Sequence, residues 1–231
     1  MLKRILLAAL VAGLVGGIMI TVVQEFTTTP LILHAEQFES DQTAHVHESM
    51  TTPGRMKKSS TVEAKAWTPA DGVERTLFTS FGNIVAGVGF ALILVAGFAL
   101  HGGEIDGRRG IIWGLAGFAV FSLAPALGLP PEVPGAMAAE LVARQGWWLA
   151  AVAATALGLA LMVFGRKTVW IVLGAVVLAA PHIIGAPQPE KLGGPVPPEL
   201  SAQFVASSLV TAAVFWTILG WLSGTLYRRF S

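Results

Sequence analysis

Six stretches of this chain carry no Asp, Glu, Lys or Arg: Ile5–Gln24, Thr76–Gly103, Gly110–Pro131, Gln145–Gly165, Thr168–Pro189 and Leu200–Tyr227. Each can supply the roughly 20 apolar residues that cross about 30 Å of hydrocarbon. The pattern predicts an all-α, polytopic membrane protein of about six transmembrane helices, with residues 1–231 forming one integral membrane domain. Lys3 and Arg4 open the first stretch, but its apolar run exceeds the 7–15 residues of a cleavable signal core. No convincing Ala-x-Ala site follows, and Gly13 and Gly17 have the small-xxx-small spacing of packed membrane helices. The first stretch therefore reads as a retained anchor.

The ends of the stretches repeat. Leu123–Glu132 runs Leu-Ala-Pro-Ala-Leu-Gly-Leu-Pro-Pro-Glu, and Ala179–Glu190 runs Ala-Ala-Pro-His-Ile-Ile-Gly-Ala-Pro-Gln-Pro-Glu. A Gly/Pro-rich link and then a glutamate, Glu140 or Glu199, lead into the next span. Pro30, Glu36 and Glu74 allow the first pair of spans to be laid on the same scheme. Recurrence of this kind marks repeated units. It predicts three helical hairpins, formed by spans one and two, three and four, and five and six. Pro125 and Pro181 are expected to end or kink their helices, and the glutamates to sit at the positive ends of helix dipoles.

Charge sets the orientation. Short loops rich in Lys and Arg stay in the cytoplasm, and a cytoplasmic N-terminus collects Lys3, Arg4, Arg108, Arg109, Arg166, Lys167, Arg228 and Arg229 on that side. The opposing short loops hold Arg144 and Lys191. Both termini are then cytoplasmic, and the long segment 25–75 is an extracytoplasmic loop; in a Gram-negative bacterium it faces the periplasm. Charged residues make up 13% of the chain, against about 25% in soluble domains. A net charge of +1 with no basic stripe gives no sign of nucleic-acid binding.

The chain has no cysteine, so disulfides, iron–sulfur clusters and thiolate metal sites are excluded. Nitrogen and oxygen donors are concentrated in the extracytoplasmic loop. Three of the five histidines, His34, His45 and His47, lie there among Glu36, Glu39, Asp41 and Glu48. His45 and His47 share a face if the backbone is extended; Asp41, His45 and Glu48 form a stripe if it is helical. Imidazole with carboxylate suits Co²⁺, Ni²⁺, Zn²⁺ or Mn²⁺, and ligand type alone does not choose among them. His182 follows Pro181 at the end of an uncharged span, where ionisable groups are costly and tend to serve function. The competing readings are a solvated polar loop and an interfacial histidine. Trp147, Trp148, Trp216 and Trp221 read as interface anchors, and Gly110/Gly114 and Gly220/Gly224 as packing seams.

No Asp, Glu, Lys or Arg lies within the uncharged spans, so the usual mark of a proton relay is missing. No nucleotide-binding motif is present. No nucleophile–base pair or organic-cofactor motif emerges either, so an enzyme is not expected.

Leu33-His34-Ala35-Glu36-Gln37-Phe38-Glu39, taken with Ala180-Pro181-His182-Ile183-Ile184-Gly185-Ala186-Pro187, resembles the CbtA family of probable cobalt transporter subunits. The likeness runs over nearly the whole chain. It implies a bacterial inner-membrane protein taking part in Co²⁺ uptake, with a small single-span CbtB-type subunit as partner beside the lipid bilayer. His34, Glu36, Glu39 and His182 match the family's motifs; His45 and His47 join the expected metal set through their ligand chemistry. The expected function is capture of a divalent ion, Co²⁺ first, at an extracytoplasmic His/carboxylate site of an uptake transporter. The alternative is an accessory or assembly subunit that transports nothing.

Overall fold

The computed structural model describes residues 2–38, 69–190 and 193–230, and no strand occurs among them. Helix α1 (Leu2–Phe26) is followed by a short helix α2 (29–38), so the segment expected as a loop from residue 25 begins with helix. Then come α3 (Val73–His101), α4 (Gly107–Ala126), α5 (Leu141–Phe164), α6 (Thr168–Ile184) and α7 (Pro198–Arg229). Helices α1, α3, α4, α5 and α7 are long and apolar enough to cross a membrane. Helix α6, with 17 residues, stands at the lower limit for doing so. This is a polytopic helical membrane protein.

The boundaries follow local chemistry. Helix α3 stops at Gly102, whose φ of 72° is left-handed and whose N–H bonds back to Phe98 O; glycine takes that conformation without a Cβ clash. Asp106 caps α4 by accepting the Arg109 N–H at 2.9 Å. That bond, with the charges of Arg228 and Arg109, holds its carboxyl below the usual range. Inside α4 the chain makes a π turn at Ala119–Leu123 just ahead of Pro125. A proline has no N–H to give and its ring crowds the carbonyl four residues back, so the ladder widens there and the helix ends at Ala126. Proline also stands in the last turn of α6, as Pro181, and at the start of α7, as Pro198.

Glu140 caps α5 by accepting the N–H groups of Val142 at 2.9 Å and Ala143 at 2.8 Å. These bonds hold its carboxyl below the ordinary value. A depressed folded-state pKa adds stability above the unfolded pKa, and that stability is lost as pH falls through the folded value. Glu140→Gln should therefore melt below wild type at neutral pH, and the gap should close on acidification. A gap of constant size from pH 7 down to pH 3 would contradict this assignment.

Three antiparallel helix pairs form the bundle, and glycine seams select them. A Cβ on Gly17 would fall 2.6 Å from Ile84 Cα, so α1 and α3 touch backbone to backbone. Gly110 and Gly114 of α4 meet Gly220 and Gly224 of α7; a Cβ on Gly220 would lie 2.8 Å from Gly114 Cα. Gly158 of α5 and Gly174 of α6 oppose each other, each blocking a Cβ with its carbonyl oxygen at 2.6 Å. Of the hairpins expected from the repeat, only the first is a packed pair. The second is corrected: α4 packs chiefly on α7 and meets α5 only through its last turns. The third is also corrected, since α6 packs on α5 and on none of the other spanning helices. In lipid no water drives apolar helix faces together, so helices associate where backbones can approach most closely, and here that favours α4–α7 and α5–α6.

The core lies between α1, α3, α4 and α7, around Phe98, Val95, Leu219, Tyr227 and Trp216. Trp216 is only 2% exposed and Trp147 is buried, so neither is the interface anchor that its position near a span end suggests. Arg4 lies 3.7 Å over the Tyr227 ring and donates to Tyr227 O at 3.0 Å, fastening the first helix to the last. At the opposite end α2 sits on a second cluster, Ala35 with Val133, Val196, Leu200 and Phe204.

Candidate functional site

The expected metal donors that the structure describes are His34, Glu36 and His182; Glu39, His45 and His47 lie outside the described residues. All three belong to the end of the bundle that carries α2. His34 is exposed, its ring 5.4 Å from that of Phe38. Glu36 is held by Arg75 in a two-pronged pair, Nη1–Oε1 at 2.9 Å and Nη2–Oε2 at 3.0 Å. Arg75 also reaches Asp71 at 2.9 Å. Positions i and i+2 of a helix do not share a face, so α2 separates His34 from Glu36. His182 packs edge-on against Trp147 at 5.7 Å, and the Trp147 indole N–H donates to Pro181 O at 3.1 Å. The His182 Nε2 is buried with no hydrogen-bond partner, a costly arrangement for a polar atom. Among the described residues no group of three or more His, Cys, Asp or Glu could hold a metal ion.

A different polar assembly stands below α2. Thr21, Gln24, Glu25 and Thr28 recur at i, i+3, i+4 and i+7 through the end of α1, which puts them on one helical face. Asn83 of α3 donates to Thr21 Oγ1 at 2.9 Å and to Gln24 Oε1 at 2.6 Å. Thr27 and Thr211 of α7 share a 3.0 Å hydroxyl bond. The half-buried Glu25 carboxylate accepts from the Thr76 hydroxyl at 2.8 Å. Interhelical bonds of this kind are worth about 0.6 kcal/mol each on average in a membrane, so they align α1, α3 and α7 more than they stabilise them. A search for charge passes over these residues, because nearly all are amides and hydroxyls. The signal that finds them is the helical spacing of the polar positions.

Two adjoining cavities lie along this assembly. One, of about 330 Å³, lies against Glu25, Arg75 and Thr79. The other, of about 360 Å³, reaches deeper to Asn83, Ser208 and Thr211. Gln24, Thr28 and Ile32 line both. A third space, about 430 Å³ and almost wholly apolar, opens between α3, α4 and α5, with His101 at its far mouth between the rings of Trp113 and Phe164.

This arrangement can present imidazole and carboxylate at one end of the bundle and neutral oxygens beneath them. No curated protein and no solved structure matches the chain. Residues 2–228 match the CbtA family, probable cobalt transporter subunits. That match covers nearly the whole chain, and the protein belongs to the CbtA family.

Proposed function

We propose that this protein is the polytopic subunit of a bacterial Co²⁺ uptake system, seated in the inner membrane with both termini in the cytoplasm. The α2 end then faces the extracytoplasmic side, and the segment 25–75 lies there as the first station for the ion. Membership of a cobalt-transporter family across residues 2–228 is the observation that carries this reading. The distribution of Lys and Arg supports the orientation. His34, Glu36, Glu39, His45, His47 and His182 are the donors, a nitrogen and oxygen set suited to a divalent first-row ion. Capture at Glu36 is an exchange, in which the ion takes over the carboxylate that Arg75 holds. A small single-span subunit of the CbtB type completes the transporter.

The test is uptake of labelled Co²⁺ into cells producing the chain with its partner. His34→Ala/His182→Ala should reduce uptake at sub-saturating metal about a hundredfold, if each lost ligand is worth about 1.4 kcal/mol, a factor of ten. Equal uptake by wild type and double variant would remove these residues from the site. An accessory role that transports nothing predicts stoichiometric co-purification with a larger complex and no stabilisation by metal. A bound ion at 100 times its dissociation constant should instead add about 2.7 kcal/mol.

A further inference from the structure

We propose that the two adjoining cavities, the outer one against α1, α2 and α3 and the deeper one reaching α7, form one water-filled vestibule for a hydrated divalent cation, closed at its inner end by the rings of Phe90, Phe121, Phe215 and Trp216. The inference rests on the transport reading above and gives the ion its route beyond the first donors.

The walls supply the reason. The wall of the deeper cavity is mostly apolar, with Gln24, Thr28, Asn83, Ser208 and Thr211 set among Ile20, Ile32, Ala86 and Phe204, and a space holds water where it is roomy and offers two to four polar partners. Its volume of about 360 Å³ has room for on the order of ten waters at roughly 30 Å³ each. A divalent ion that keeps six waters needs about half of that space. Amide and hydroxyl oxygens can accept hydrogen bonds from the ion's water shell without stripping it. Glu25 and Arg75 both line the adjoining cavity; Arg75 is paired with Glu36 and Asp71, and Glu25 adds a further carboxylate at the entrance. Thr76 is its partner, and among the described residues no basic side chain forms an ion pair with it.

The vestibule stops at aromatic rings. Phe90 and Phe215 form part of the wall of the polar cavity, while Phe121 and Trp216 form part of the apolar space on the other side. Phe90 lies 4.8 Å from Trp216 and 5.2 Å from Phe121. Phe121 stacks on Trp216 at 5.6 Å, the planes 11° apart, and Phe215 meets Phe90 at 6.4 Å. In this layer the Trp216 indole N–H donates to Ser122 Oγ at 3.2 Å. Phe121 and Ser122 both belong to the π turn Ala119–Leu123, a widened stretch of helix that often marks functional sites. Hydrophobic constrictions of this kind gate ion paths by excluding water, so the rings must part before an ion passes.

The absence of cysteine makes a direct test possible, because every introduced thiol is the only one. Single-cysteine variants in oriented membrane vesicles are treated with a membrane-impermeant cationic methanethiosulfonate, with Gln37→Cys on α2 marking the accessible side. Ser208→Cys should react from the side where Gln37→Cys reacts. Val120→Cys, beyond the rings, should stay unreacted from that side until Phe90→Ala is added. An inert Ser208→Cys overturns the vestibule, and a Val120→Cys that reacts equally with and without Phe90→Ala overturns the plug. In a parallel assay, Asn83→Leu should lower uptake of labelled Co²⁺ about tenfold, the effect of losing the hydrogen bonds of one polar group. Unchanged uptake by Asn83→Leu at equal protein level would overturn the cation role. Absence of uptake by the wild type would sink the transport reading, while the labelling result still decides whether the vestibule exists.

Discussion

Gly114→Val is expected to abolish the folded bundle, with little protein surviving extraction as a monodisperse species. A Cβ at Gly114 would run into Trp216 O and lie 3.0 Å from Gly220 Cα and 3.2 Å from Trp216 C. All of these are backbone atoms, and no rotamer change can move them. Overpacking usually costs 1–3 kcal/mol when side chains can shift; here the helices must separate, so a loss of about 3 kcal/mol or more is expected. Separation also breaks the neighbouring contacts at Gly110, Gly220 and Gly224, since the four glycines form one seam. Gly89→Ala is the control. Nothing lies within 4 Å of a Cβ there, and removing a helical glycine should add about 0.5–1 kcal/mol. Thermal unfolding in detergent, followed by circular dichroism, separates the two outcomes. A Gly114→Val protein melting like wild type would show that α4 and α7 do not depend on this seam.

Trp216→Ala is expected to cost about 3–5 kcal/mol, the range for deleting a large buried aromatic side chain. Trp216 is only 2% exposed, touches the rings of Phe90, Phe121 and Phe215, and packs against Gly117, where no Cβ would fit. Its loss would leave Ser122 without the indole donor and remove the centre of the aromatic layer. Trp216→Phe should recover most of the packing and lose only the hydrogen bond, about 1 kcal/mol. Melting temperatures of the two variants give the comparison. Similar melting of Trp216→Ala and wild type would mean that the surrounding rings collapse fully into the space.

The placement of the apolar helices was legible because charge is expensive in hydrocarbon: each long gap between charged residues became a helix. Two helix ends were equally plain, as Glu140 and Pro125 each act through local stereochemistry; the stop at Gly102 shows only in the structure. Pairing was not legible. The spacings Gly110/Gly114 and Gly220/Gly224 announce two close-packing faces, but spacing within one helix does not say which other helix fills it. Chain order favoured consecutive hairpins, whereas backbone contact joined α4 to α7. Burial of Trp216 was missed for a related reason: tryptophan near a span end suits the interface or the core, and only the glycine opposite decides. At the candidate site, histidine and carboxylate mark α2. The polar stripe Thr21, Gln24, Glu25 and Thr28 is marked only by its helical spacing, because three of its four members are uncharged.

Helix α6 has 17 residues, so it is about 25 Å long at 1.5 Å per residue, some 5 Å short of an average hydrocarbon core. Among the long apolar helices it packs on α5 alone, and most of its surface is exposed. Lipids beside a short, exposed helix must compress or tilt to match it, at fractions of a kcal/mol per ångström. The bilayer should therefore pucker along this flank, drawing the headgroup region inward toward His182, and thick, sterol-like membranes should suit the protein poorly.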